Sequence, residues 1–415
     1  MSRFGIHVSI QDRIKVSPGS ELWRVKAFSW VVLALYGSVE VGVIFNSNMI
    51  FSGGYSWRPD FISYWLSAKM ALTGHLADSY HLESMQQAFA HYFPDSWGLV
   101  NFNVYPPVFY LWVSPLAMLP LVPAYLVFMG VTFWGYGLTL GKIIPLRYIF
   151  WPLVAFPGVW ATWFQGQNSF LTALLAAAVI LLLERGKEIS AGVLAGLLII
   201  KPHLLIGILL LMIFRRKWKL LVVAFCMALV LTGVAEMVFG SVALLQWIQS
   251  MKANSLNIED STAVLQQVPT PFAYMRLIGA SLAFSYLVQG IVAVLVIALL
   301  GLIISTSNSW ALIGSAVMIS GFLVSPYFGI YDLAWLAFPL AWLSSHGLKN
   351  GWPGGLKPLL GILWIMPLVF QWITVLVPTF IVPFVLMISL VWIWRQCQIE
   401  CQPLVENLVS SDSTS

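Results

Sequence analysis

Long apolar runs separated by short polar stretches fill the chain from about residue 27 onward. The longest lie near 27–50, 121–141, 218–239 and 281–304 and have the roughly 20 residues that a helix needs to cross a bilayer. Shorter runs lie near 148–164, 168–183, 189–200, 203–214, 309–323, 332–344, 358–376 and 379–394. Together they predict an all-α polytopic membrane protein with about twelve transmembrane helices.

Several of these runs are too short to cross lipid alone. Half-length helices are tolerated in a membrane where other protein shelters them or where they line a cavity. The pair of short runs that meets at Lys201 is the clearest example. We therefore expect a cavity that opens at one face of the membrane.

The distribution of basic residues predicts the topology. Cytoplasmic loops are enriched in Lys and Arg, and an arrangement with both termini in the cytoplasm leaves few of the 21 Lys and Arg residues outside. Those few are Arg58, Lys69, Lys201, Lys252 and Arg276.

The predicted organisation is one membrane domain, residues 27–395, between a cytoplasmic leader, 1–26, and a cytoplasmic tail, 396–415. The first outer loop, 51–120, contains amphipathic helices and a short apolar segment, Tyr105–Pro120, that is interfacial or re-entrant. A second outer loop covers 240–280. The polar leader lacks a small-residue cleavage site, so we expect no cleaved signal peptide.

Composition narrows the class of protein. The chain is 60% hydrophobic and 9% charged, whereas soluble chains are about a quarter charged. The three cysteines give no disulfide framework or zinc-ligand spacing. The basic residues are scattered, which argues against a nucleic-acid partner, and membrane lipid is the expected surrounding.

Asp60 is the first candidate for a catalytic or ligand-binding residue. It follows Pro59 at the exit of the first predicted span, among aromatic residues such as Tyr64 and near Arg58. A semi-buried carboxylate beside a cation is the environment of a general base or a cation ligand. The alternative is a helix N-cap with a structural role.

Lys201 is the second candidate. It lies within "LLIIKPHLLIGILLL", followed by Pro202 and His203. A charge facing lipid there would be costly, so the lysine either snorkels to the interface or points into a polar cavity. In a cavity it would suit an anionic group such as a phosphate.

Other polar residues fall on the same predicted face. Gln167 and Asn168 lie in "WFQGQNS", Tyr331 and Asp332 in "SPYFGIYDLAW", and Tyr105 precedes a Pro-Pro pair. A plain turn is the alternative for the first pair and an N-cap is the alternative for Asp332. A transporter places polar groups near the midplane with access from both faces. Polar groups on one face favour an enzyme, with a transporter or flippase for lipid-linked sugars and a non-catalytic scaffold as alternatives.

Five motifs in this order resemble glycosyltransferase family 87. They are "PDF", "YPPVFYLWVSPLAMLP", "GQNSFLTALL", "LAGLLIIKPHLLIGILLL" and "SPYFGIYDLAWLAFPLAWL", and the resemblance covers about residues 30–345. It implies a GT-C fold and a long first periplasmic loop, in a multi-pass protein of the bacterial inner membrane whose active site faces the periplasm.

The resemblance also implies a reaction. The donor would be a polyprenyl-phosphate hexose, commonly mannose, and the acceptor a lipid or an envelope glycan. Asp60 matches the family's aspartate after the first span and would act as the base of an inverting transfer. A lipid phosphate donor needs a cation, for which Lys201 and Arg276 are candidates. The expected pocket residues are Arg58, Tyr64, Tyr105, Gln167, Asn168, His203, Tyr331 and Asp332.

Some features stay open. Certain members of the family use a histidine near the last outer motif, where this chain has Tyr331 and Asp332, so a second catalytic group is not identified. No cofactor is expected with certainty. Metal dependence varies among such enzymes, and a divalent cation is compatible with the resemblance.

Overall fold

A computed structural model describes residues 21–46, 60–94, 103–374 and 376–412. Regular secondary structure in these ranges is entirely helical. The α-helices are α1 Glu21–Asn46, α2 Phe61–Leu72, α3 Leu82–Tyr92, α4 Pro107–Val113, α5 Leu121–Leu140, α6 Leu146–Val154, α7 Pro157–Gln165, α8 Ser169–Glu184, α9 Glu188–Leu197, α10 Ile206–Phe214, α11 Trp218–Phe239, α12 Ser241–Asp260, α13 Thr262–Leu265, α14 Pro271–Leu277, α15 Leu282–Thr306, α16 Trp310–Val324, α17 Ala337–Asn350, α18 Leu356–Ile373 and α19 Ile381–Asp412. Short 3₁₀ helices occur at Leu76–Tyr80, Ser114–Met118, Leu198–Ile200, Pro202–Leu205 and Ile330–Leu336.

Five described helices are long and apolar enough to cross a membrane. They are α5, α11, α15, α18 and the Ile381–Cys401 part of α19. Shorter apolar helices include α8 and α16. The chain is therefore a helical membrane protein, while twelve spans and the GT-C fold remain predictions.

One predicted span is broken. The apolar run near 148–164 forms two helices, α6 and α7, because Pro157 follows Phe156. Proline disfavours a helical conformation in the preceding residue, and Phe156 is extended, with φ −65° and ψ 122°. Pro157 then begins α7, where its missing N–H costs no hydrogen bond.

The segment predicted as a cytoplasmic tail begins within a helix. Residues 396–412 continue α19 beyond Arg395, and their place in the cytoplasm stays a prediction. The expected boundary followed the change from apolar to polar side chains, but that change alters what a helix faces and does not end it.

Helix α16 lies at the centre of the fold. Every residue from Leu312 to Leu323 is buried, so protein surrounds this short helix on all sides. Helix α10 packs against it at Gly207, where a Cβ atom would overlap the backbone oxygen of Val317. This shelter explains how a 15-residue helix is tolerated in a membrane protein.

A small-residue face joins α9 to α11. A Cβ on Gly192 would lie 2.9 Å from the backbone oxygen of Leu220, and one on Gly196 would lie 2.7 Å from that of Ala224. Glycines four residues apart let two backbones approach closely. Because α9 leads through Leu198–Ile200 directly to Lys201, this packing fixes where the lysine enters the fold.

The first predicted outer loop is largely folded. The amphipathic stretches form α2 and α3, and the segment after Tyr105 forms α4 followed by a 3₁₀ turn. Most of α2 is buried, so it belongs to the core and does not lie on the surface. Asp60, at its start, is thereby held against the rest of the protein.

Candidate active site

A cavity of about 780 Å³ gathers residues from distant parts of the chain. Its lining includes most of the residues singled out in the sequence: Asp60, Tyr64, Tyr105, Gln167, Lys201, His203, Tyr331 and Asp332. Residues of α12 and residues near 264–268 and 327–329 also line it. The polar residues that were predicted to share one face of the membrane thus line one cavity.

The backbone places Asp60 at the junction of α2 and α7. The Asp60 N–H donates to the backbone oxygen of Gln165 over 2.7 Å. Gly166 ends α7 in the left-handed region, with φ 62°, a conformation that suits glycine. This turn brings the next residue, Gln167, to the cavity.

Asp60 occupies the N-cap position of α2, but its side chain does not cap the helix. One carboxylate oxygen, Oδ2, accepts a hydrogen bond of 2.5 Å from Nε2 of Gln167. The other has no hydrogen-bond partner in the described ranges. The carboxylate therefore has an oxygen available to a molecule in the cavity.

Two tyrosines hold Gln167 in this orientation. The hydroxyls of Tyr64 and Tyr105 donate to Gln167 Oε1 over 2.6 and 3.0 Å, and Tyr64 also lies 2.9 Å from the Tyr105 hydroxyl. Because both hydroxyls donate to the amide oxygen, the amide nitrogen must face Asp60. Burial raises the pKa of each tyrosine well above its usual range, so both remain neutral donors.

Burial raises the pKa of Asp60, while the Gln167 hydrogen bond and the charge of Lys201 act in the opposite direction. Loss of solvation disfavours a carboxylate, and a donor or nearby cation favours it. A carboxylate with a raised pKa is, in its ionised form, a stronger base than an ordinary aspartate.

Lys201 forms a buried ion pair. Its Nζ lies 2.7 Å from Oδ1 of Asp332, and the two side chains are only 6% and 1% exposed. The lysine thus faces the cavity and does not snorkel. Its charge is balanced by a carboxylate, which the sequence analysis did not predict.

Asp332 is held from three directions. Oδ1 also accepts from the Ser169 hydroxyl over 2.6 Å, and Oδ2 accepts from the Gly329 N–H over 3.2 Å. The last bond places Asp332 at the N3 position of the helix that Gly329 caps, where its side chain accepts from the backbone of the N-cap residue. Asp332 is therefore not itself the N-cap considered above. The ring of Tyr331 lies 4.8 Å from Lys201 Nζ, a cation–π distance.

Two predicted residues are placed elsewhere. Arg276 does not line the cavity in the described part of the protein; its guanidinium donates to the backbone oxygens of Glu259 and Ala280. These bonds tie α12 to α14, and a phosphate-binding role for Arg276 stays a prediction. Asn168 is fully buried at the start of α8, also away from the cavity lining.

Arg58 lies outside the described residues, so its expected place in the pocket remains a prediction. The cavity also has members that were not predicted, including Asn103 and Lys252. Asn103 accepts from the Tyr110 hydroxyl over 2.7 Å. Its position three residues before the Pro-Pro pair was the available signal for Asn103. Lys252 was visible only as one more outer lysine.

The described residues contain no group of three or more His, Cys, Asp or Glu side chains able to hold a metal ion. What the cavity offers is one carboxylate with a free oxygen, neutral hydroxyl and amide donors, and a charge-balanced Lys–Asp pair. This set can accept a proton and position hydroxyl groups.

A comparison with protein families matches residues 103–326 to the model of glycosyltransferase family 87. The match includes Tyr105, Gln167 and Lys201 but ends before Asp332 and begins after Asp60. Comparisons with curated proteins and with solved structures returned no match.

Proposed function

Because the chain belongs to glycosyltransferase family 87, we propose that this membrane glycosyltransferase transfers a hexose, first of all mannose, from a polyprenyl-phosphate donor. The acceptor is a hydroxyl of a lipid or an envelope glycan. The reaction takes place at the periplasmic face of a bacterial inner membrane, within a GT-C fold. The observation that carries the proposal is the cavity-facing Asp60 carboxylate fixed by Gln167.

In the proposed reaction Asp60 removes the proton from the acceptor hydroxyl. The hydroxyl oxygen forms a bond to the anomeric carbon while the bond from that carbon to the phosphate oxygen breaks. The phosphate leaves with the electron pair, and the anomeric configuration inverts. Attack and departure from opposite faces need only one base near the acceptor.

The remaining polar residues support this step by position. Gln167 holds the carboxylate in one orientation, and the tyrosines hold Gln167. Sugar hydroxyls would meet the neutral donors that line the same cavity, including Tyr64 and Tyr105. The ammonium group of Lys201, although it is paired with Asp332, lowers the pKa of Asp60 and so favours the ionised carboxylate.

The test is transfer by the purified full-length protein in lipid nanodiscs. Radiolabelled polyprenyl-phosphate mannose, glucose and arabinose are offered with membrane lipid extract as the acceptor, and products are separated by chromatography. We expect transfer from the mannose donor, with inversion detected by a linkage-specific glycosidase.

Asp60→Asn, which preserves shape, should reduce transfer by at least about 100-fold, the scale of a general base. Its thermal unfolding should match that of the wild type. Full activity in Asp60→Asn would remove Asp60 as the base. If proteoliposomes instead move the labelled donor across the bilayer without forming product, the protein is the transporter considered from the sequence.

A further inference from the structure

The cavity has two lysines with different surroundings. Lys201 is buried and paired with Asp332. Lys252, on α12, is exposed and has no carboxylate within ion-pair distance in the described ranges. Of the charged residues described along the cavity, Lys201 and Asp332 cancel, and only Asp60 and Lys252 remain.

Helix α12 presents apolar side chains beside this lysine. Trp247, Met251 and Ile258 line the cavity, and Trp247 also donates to the backbone oxygen of Val104 over 3.2 Å. These positions fall on one face of the helix with Lys252 next to Met251. This wall of the cavity therefore presents three apolar side chains and a single cation, together with the polar residues Asn254 and Ser255.

The same helix is also exposed on an apolar side. Val242, Leu245 and Ile248 are each more than half exposed. Spacings of three residues put them along one stripe. A helix with apolar residues and a lysine at its polar edge is typical of one that lies in the membrane interface. We therefore expect helix α12 to lie between the lipid surface and the cavity.

We propose that Lys252 binds the phosphate of a prenyl phosphate whose chain passes along the Trp247–Ile258 wall of the cavity. A phosphate suits a lysine that no carboxylate of the described residues neutralises. An isoprenyl chain suits the apolar side chains on this wall of the cavity. This assignment rests on the proposed function for the donor class, and it moves the phosphate from Lys201 to α12.

The placement also serves the chemistry. A phosphate at Lys201 would displace or compete with Asp332, whose carboxylate has three hydrogen bonds. A phosphate at Lys252 leaves that pair intact. It also puts the leaving group beside α12, whereas Asp60, which receives the acceptor's proton, lies beside Gln167.

The test is a binding assay without sugar. Tritiated farnesyl phosphate is equilibrated with the full-length protein in phosphatidylcholine nanodiscs, with empty nanodiscs as background. We expect Lys252→Met to weaken binding about tenfold or more, the scale of one charge-assisted hydrogen bond. Lys252→Arg should retain most of the affinity. Lys219→Met, an exposed lysine at the far end of α11, should bind like the wild type.

Competitors identify the ligand. Unlabelled farnesyl phosphate should displace the label, whereas farnesol and inorganic phosphate should each do so much less well. Equal displacement by inorganic phosphate, or loss of binding in nanodiscs that contain phosphatidylglycerol, would show a general anion site and overturn the assignment to a prenyl phosphate. Wild-type affinity in Lys252→Met would also overturn it.

This assay separates two kinds of failure. If farnesyl phosphate binds through Lys252 but no sugar is transferred, the proposed reaction fails and the phosphate site stands. If sugar is transferred normally by Lys252→Met and its donor KM is unchanged, the site fails and the proposed reaction stands.

Discussion

The ammonium group of Lys201 lies 2.7 Å from a carboxylate oxygen of Asp332 in the interior of the protein. Lys201 lies between the 3₁₀ helices Leu198–Ile200 and Pro202–Leu205, and Asp332 lies in the 3₁₀ helix Ile330–Leu336. Both segments interrupt α-helical regions beside the cavity. The ion pair therefore joins the two interruptions at the cavity lining.

Removing one member of this pair should be costly. We expect Lys201→Met to destabilise the protein by about 3–5 kcal/mol, because it leaves a buried carboxylate without its cation. The measurement is thermal or denaturant unfolding in nanodiscs. The matched control is Lys217→Met, since Lys217 pairs with Glu188 at the same type of distance, 2.6 Å, but is 35% exposed.

The control should lose less than about 1 kcal/mol. Adding Asp332→Asn to Lys201→Met should restore part of the lost stability, because the unpaired charge is then gone. Equal losses for Lys201→Met and Lys217→Met would contradict the importance of the buried pair.

Replacing Gln167 should change the pH dependence of transfer. The Gln167 hydrogen bond lowers the pKa of Asp60, so Gln167→Met should raise that pKa. A base must be ionised, and a higher pKa means a smaller ionised fraction at any given acidic pH. The acid limb of the kcat/KM profile should therefore move to higher pH.

Tyr64→Phe is the comparison for that shift. It removes a donor to Gln167 Oε1 but leaves the bond from Gln167 to Asp60, so its acid limb should move less. An acid limb that stays in place in Gln167→Met would mean that Asp60 does not control it.

The contact of α9 with α11 predicts that replacing glycine by alanine lowers the stability of the protein at some positions and not at others. Gly196→Ala should destabilise the protein by about 1–3 kcal/mol, because the new Cβ would lie 2.6 Å from Cβ of Met227. Gly233→Ala, on α11, has nothing within 4 Å of the new atom and should be neutral or slightly stabilising. Unfolding experiments on the pair would refute this packing if both variants behaved alike.

Labelling tests the predicted orientation. In a protein whose three cysteines are replaced by serine, Gln249→Cys should react with a membrane-impermeant maleimide added to intact cells. Gln249 is exposed on α12, and Lys187 is exposed between α8 and α9. Lys187→Cys should react only after the cells are opened. Labelling of both sites in intact cells would reject the orientation in which the cavity faces outward.

Local pattern was sufficient for most helices. The apolar runs that begin near 121, 168 and 218 coincide with α5, α8 and α11, because run length and composition directly reflect the membrane environment. The break at Pro157 was missed although proline marks it, and so were the glycines of α9, whose four-residue spacing is readable in the sequence.

The site was predictable only in part. Polar residues at the ends of apolar runs led to Asp60, Gln167 and Lys201, which the structure brings to one cavity. The partner of Lys201 was not found, since nothing local specifies a pairing over 131 residues. The sequence could not distinguish Lys252 from the other outer lysines. The difference between them depends on the pairing of Lys201 with Asp332, which is visible only in the structure.

The link between Lys201, Ser169 and Asp332 has a consequence for biosynthesis. Asp332 lies 131 residues beyond the lysine and 163 beyond the serine. Until position 332 leaves the ribosome, Lys201 lacks the carboxylate with which it pairs in the folded protein. Membrane insertion and quality control therefore act on an unfinished intermediate, and chains truncated upstream of this residue should be degraded by membrane proteases.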